Sequence, residues 1–166
     1  MDEPNRLIRE FFNPKRVPTE GEINRVLDHV AKMPFRTGMI GVDEDIRGIV
    51  FLGKKLGNRE SSLIVHLAKR TLVEEQWAIG TTAEQYLADL HSIVDETELR
   101  ILVYKSKDGQ HVLGLLAPNR LPPERLGQNS EGLLWVIYSA DYGTITTGYQ
   151  VSSADRIMIP EGARWL

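Results

Sequence analysis

Residues 99–117, LRILVYKSKDGQHVLGLLA, decide the fold of this chain. Leu99–Tyr104 and Val112–Ala117 are two runs rich in apolar and β-branched residues, and Ser106-Lys107-Asp108-Gly109 lies between them. Asp-Gly supplies the left-handed backbone that a tight hairpin needs, so the stretch predicts two antiparallel strands. Residues 133–151, LLWVIYSADYGTITTGYQV, repeat the pattern, with Leu133–Tyr138 and Thr144–Val151 flanking the turn Ala140-Asp141-Tyr142-Gly143. Pro118–Gly132 joins the hairpins as a polar loop. A four-stranded antiparallel meander is expected.

Upstream of the meander the apolar period changes to that of helices. Glu60 to about Trp77 has no Gly or Pro and carries Leu63, Leu67, Val73 and Trp77, with Ser61 or Ser62 as caps. Gly80-Thr81-Thr82 ends it. Thr81 and Glu84 then have capping-box spacing before the stripe Tyr86, Leu87, Leu90, Ile93 and Val94, which predicts a helix over about 82–95. Ile49–Leu52, set among glycines, reads as a short strand. At the start, Leu7, Ile8, Phe11 and Phe12 predict a helix over Pro4–Phe12. Thr19 with Glu22, then Ile23, Val26, Leu27 and Val30, predicts a second that Pro34 ends. The class expected is α+β: two helices followed by the meander, with residues 1–38 as an N-terminal helical extension, in one domain spanning 1–166.

The 166 residues include no cysteine, which removes disulfides, thiolate zinc sites and a cysteine nucleophile. Met1–Glu10 has no signal-peptide core and no run of about 18 apolar residues occurs, so a cytoplasmic chain without a membrane partner is expected. The net charge of −3 argues against nonspecific coating of nucleic acid. That average hides an asymmetry: Lys54, Lys55, Arg59, Lys69 and Arg70 precede a stretch, Thr71–Glu98, with seven acids and no Lys or Arg.

Four histidines are present, His29, His66, His91 and His111, and no pair has helical zinc-site spacing. The GxxxxGK[ST] loop, the Rossmann glycine pattern and the GxSxG elbow are also missing. His66 stands out. With Lys69 at i+3 and Arg70 at i+4 it places a titratable imidazole and two cations on one helical surface, a set suited to phosphate chemistry. The same spacing also fits an amphipathic helix with solvated cations. Thr147 and Tyr149, two apart on the last strand, must point to the same side of the sheet. They are good strand formers in their own right.

His66-Leu-Ala-Lys-Arg70, Thr81-Thr82-Ala-Glu-Gln-Tyr86-Leu and Thr146-Thr147-Gly-Tyr149, in this order along helix, helix and meander, resemble the barnase/EndoU/colicin/RelE group of metal-independent ribonucleases. That group includes contact-dependent-inhibition toxins and phage-borne relatives. The resemblance covers residues 49–151. It implies RNA, tRNA among the candidates, as substrate, no cofactor or metal, and a bacterial or phage toxin with a cognate antitoxin or immunity protein as partner. His66 would be general base or acid, Arg70 the phosphate-stabilising cation, Thr147 a donor to a nonbridging oxygen, and Tyr149 a ribose-orienting or proton-transfer group. Lys69, Arg59 and Lys55 would contact the substrate. Two alternatives stay open: an inactive RNA- or protein-binding module of the same fold, and an acidic immunity or accessory protein.

Overall fold

The computed structural model describes residues 3–36 and 63–166. Helices α1 (Glu3–Glu10) and α2 (Glu20–Val30) come first. Helix α3 (Leu63–Ala68) runs directly into a π turn over Lys69–Val73, and α4 (Ala83–His91) tightens into a 3-10 turn over Ser92–Asp95. Strands β1 (Arg100–Lys105), β2 (His111–Pro118), β3 (Leu133–Ser139) and β4 (Thr144–Val151) form the meander. A two-residue strand, β5 (Arg164–Trp165), adds to the far side of β1, giving an antiparallel sheet in the order β4-β3-β2-β1-β5. The class is α+β with five strands. β5 is too short to carry a periodic signal, which is why the sequence suggests only four.

The two hairpin turns follow from glycine. Gly109 and Gly143 have φ of +82° and +62°, where any other L residue except Asn or Asp is strained. Between them the strands bury both faces. Ile101, Val103, Leu113, Leu115, Leu134, Val136 and Tyr138 pack on the helices, while Leu102, Leu116, Trp135 and Val151 pack under the C-terminal segment around Ile157. Covering both faces explains why the strands read as continuous apolar runs instead of alternating ones. Arg164 holds the C-terminal segment down by donating to the carbonyls of Phe11, Asn13 and Arg16, at 2.7, 3.0 and 3.2 Å. The Arg100 guanidinium lies 4.1 Å over the Trp165 ring and fixes β5 from the other side.

Several local expectations shift. The Thr19–Glu22 capping box forms as read. The box of α4 is set one residue later, on Thr82 and Gln85, because the Thr81 hydroxyl instead donates to the Ala78 carbonyl. The third helix ends at Val73, and Trp77 is not on it. The Thr71 hydroxyl bonds back to the Leu67 carbonyl at 2.8 Å, the ladder widens there, and Glu75 takes a left-handed φ of 54°. Trp77 then forms a bridge with Leu126 and is fully buried, its Nε1 donating to Asp89. Trp135 and Tyr138 are core residues, whereas Tyr142, on the last turn, is 64% exposed. The expected strand Ile49–Leu52 lies outside the described residues.

Trp135 owes its position to a missing side chain. Its indole lies over Gly114, where an added Cβ would sit 1.9 Å from the ring, and Trp135 is 1% exposed. With no room for the ring to retreat, Gly114→Ala is expected to destabilise the fold by about 1–3 kcal/mol, read as a lower midpoint in urea unfolding.

Candidate active site at the edge of the sheet

Among the described residues strand β4 lies at the edge of the sheet, and an edge leaves a row of N–H and C=O groups that need partners. Its register slips between Ile137 and Tyr138, which leaves Thr146 as an extra, bulged residue. The bulge changes which residues face outward. Ile145 uses both backbone groups on the segment after α2, to Pro34 O and Arg36 N at 2.8 Å each. Beyond the bulge the outward groups belong to Gly148 and Gln150. Gly148 O accepts from Arg70 Nε at 2.8 Å and from the buried Tyr86 hydroxyl at 2.6 Å. Gln150 pairs its backbone N and O with the side-chain amide of Gln76, as a neighbouring strand would.

This edge brings the helical and strand candidates together. His66 Nδ1 lies 2.9 Å from Thr147 Oγ1, and Arg70 Nη2 donates to the same oxygen at 2.8 Å. The Arg70 guanidinium lies 5.2 Å from the centre of the Tyr149 ring, and its Nη1 donates to Glu74 Oε1 at 2.7 Å. Phe35 packs its ring 5.1 Å from that of His66. Arg70 is 6% exposed; His66, Thr147 and Tyr149 are half-buried, and Lys69 is exposed, its charge acting on His66. Arg59 and Lys55 lie outside the described residues. Among the described residues no three His or carboxylate side chains converge as metal ligands, and no helix is long and apolar enough to cross a membrane.

Arg70 reaches the strand because of how its helix ends. In the π turn its carbonyl accepts from Gln76 N and Trp77 N, and the left-handed Glu75 swings the chain back toward β4. That conformation is held from outside. Asn129 N donates to Glu75 O at 2.9 Å, Gly127 N donates to Gln76 O at 3.1 Å, and a Cβ on Gly127 would stand 2.2 Å from Glu75 O. Strained backbone of this sort persists only where its surroundings over-determine it. Sequence reasoning misses Glu74, Gln76, Tyr86 as a strand clamp, and Phe35. The i,i+4 spacing of Arg70 and Glu74 is a signal that was there to find; nothing local marks Gln76 as a partner for Gln150.

The electrostatics favour a neutral imidazole. Burial above all, then the charges of Arg70, Lys69 and Arg36, hold the His66 pKa down at about 3. Burial also raises the Tyr149 hydroxyl above its ordinary value, against the opposing pull of Arg70, so it is a protonated phenol at neutral pH. Neutral His66 has one protonated nitrogen. With the proton on Nδ1, the ring donates to Thr147 Oγ1, and Nε2 is left with its lone pair.

Because the unfolded chain takes up a proton on His66 near pH 6.5 and the folded chain only near 3, unfolding binds more protons between these values. Stability from this site is therefore present above pH 6.5 and lost as pH falls toward 3. Urea unfolding across that window should show the decline, and His66→Gln should flatten it. Compared with known proteins, the chain matches no family model, no curated sequence and no solved structure, which leaves the chemistry of the β4 edge to indicate its function.

Proposed function

We propose that the chain is a metal-independent endoribonuclease. The observation that carries this is the meeting of His66 Nδ1 and Arg70 Nη2 on one hydroxyl, Thr147 Oγ1, beside the Tyr149 ring. In the reaction, His66 Nε2 takes the proton of a ribose 2′-hydroxyl as its oxygen attacks the adjacent phosphorus. The bond from phosphorus to the 5′-oxygen breaks, leaving a 2′,3′-cyclic phosphate, and the departing oxygen takes a proton from the Tyr149 phenol. Arg70 donates to Gly148, Glu74 and Thr147 and also interacts with the Tyr86 hydroxyl, and its guanidinium charge at this edge stabilises the negative charge on the phosphate oxygens. Lys69, exposed on the same helix, adds positive charge for the substrate strand. In this reading the chain acts as a cytoplasmic toxin of a bacterium or phage, restrained by a cognate antitoxin or immunity protein.

One observation favours a second reading, an RNA-binding module without catalysis. Arg70 is already ion-paired with Glu74, and its other bonds complete the β4 edge, so the cluster also has a purely structural use. The two separate in one assay. Incubated with mixed tRNA and mRNA in EDTA, the parent chain should cut and His66→Ala should cut at least about a hundredfold more slowly. RNA left intact by the parent but retarded in a gel, in a salt-sensitive manner, would place the chain in the second class. For a nuclease with its base held near pKa 3, kcat/KM should stay level as pH falls from 7 toward 4, where an ordinary histidine base would already be failing.

A further inference from the structure

Away from the His66 cluster, α1, the end of α2 and the β3–β4 turn enclose a cavity of about 340 Å³. Arg9, His29 and Lys32 line it from the helical side, and Asp141 and Tyr142 from the turn. Ion pairs among the described residues take up Arg6, Arg16, Arg25, Arg70, Arg120 and Arg125, but neither Arg9 nor Lys32. Among the described residues one carboxylate lines the cavity: Asp141 accepts from the His111 backbone N–H at 2.7 Å, lies 3.1 Å from its ring Nδ1 and also feels the charge of Arg9. Two cations and an imidazole thus face a water-accessible space against a single carboxylate, which Arg9 shares with His111. Tyr142, 64% exposed, offers an aromatic face at its rim.

From this juxtaposition we infer that the N-terminal helices build a nucleotide-phosphate site, in which Arg9, Lys32 and His29 bind the phosphate and Tyr142 stacks on the base. A purely structural account gives Arg9 and His29 the task of offsetting helix C-termini, since each lies in the last turn of its helix. It does not explain why Lys32 and an exposed aromatic meet them around a cavity. The phosphate can belong to a free nucleotide or to an RNA strand. Gly143 at the cavity lies in the turn just before β4 and Thr147 is four residues further on, at most about 13 Å at strand rise, so one short strand can reach from this site to the His66 cluster. That use by RNA rests on the ribonuclease reading; phosphate recognition does not.

The test has two arms, each run on the whole chain and on Arg9→Gln/Lys32→Gln, two exposed positions whose replacement leaves the core untouched. In the first, inorganic phosphate and then AMP are titrated while the ring signals of His29 and Tyr142 are followed by NMR. Phosphate should shift His29 saturably, AMP should shift both rings, and the double variant should bind at least tenfold more weakly. His29→Gln, a second and independent variant, should also weaken AMP binding. Absence of a saturable His29 shift, or equal affinity in parent and double variant, would overturn the site. In the second arm, a 2′-O-methyl oligonucleotide, which cannot undergo 2′-hydroxyl attack, is bound at several salt concentrations. The double variant should lower the slope of log K against log salt by about 1.4, two single-strand phosphate contacts' worth. An unchanged slope, beside AMP binding by the parent chain that the double variant weakens, would support the site as one for free nucleotides. Because neither arm measures cleavage, loss of the ribonuclease reading leaves both results interpretable.

Discussion

The free edge of β4 is the constraint on which the rest of the described structure turns. An unpaired strand edge invites association with another chain, and here the outward backbone groups of Ile145 and Gln150 and the carbonyl of Gly148 are met from within. Pro34 and Arg36 close one end, Arg70 and Tyr86 meet at Gly148, and Gln76 closes the other. Meeting those demands fixes the exit of α2, the angle of α3 and the course of the chain after it. The π turn and the left-handed Glu75 follow from that geometry, since a regular helix through residue 77 would carry Gln76 away from the strand.

Capping the edge also concentrates chemistry there. Side chains able to satisfy carbonyls and amides, an arginine, a tyrosine phenol and an amide, are drawn to one line, and a histidine one turn before the arginine comes with them. Burial and the neighbouring cations then keep the imidazole neutral, as a base must be before it accepts a proton. Structure and the proposed catalysis therefore draw on the same groups. Arg70 shows the overlap best, since its N–H donors complete the fold at Gly148, Glu74 and Thr147 while its charge serves the proposed chemistry.

The two faces of the sheet divide the remaining work. Helices cover one, and the segment after β4 covers part of the other, anchored by Arg164 on the α1 exit and by Arg100 on Trp165. The N-terminal helices are thus more than a lid: α1 receives the C-terminal clamp, the exit of α2 pairs with β4, and together they frame the cationic cavity.

The sequence by itself determined the elements that rest on local rules. Asp108-Gly109 and Gly143 set the hairpins, Thr19 with Glu22 caps α2, and the apolar runs declare a sheet, because each depends on residues near one another in the chain. His66 and Arg70 were legible as a pair for the same reason, as was the shared side of Thr147 and Tyr149. Only the tertiary structure decided which side that is. In 144–151 an unbroken alternation would put Thr147 and Tyr149 on the helix face with Ile145; the bulge at Thr146 gives that face to Gly148, against Leu90, and turns the two hydroxyls away. β5, the π turn and the Gln76–Gln150 pairing were equally unreadable, since each exists to satisfy a backbone group supplied by a distant part of the chain. Local sequence carries propensity, whereas the pairing of a particular amide with a particular carbonyl is settled only when the chain is packed.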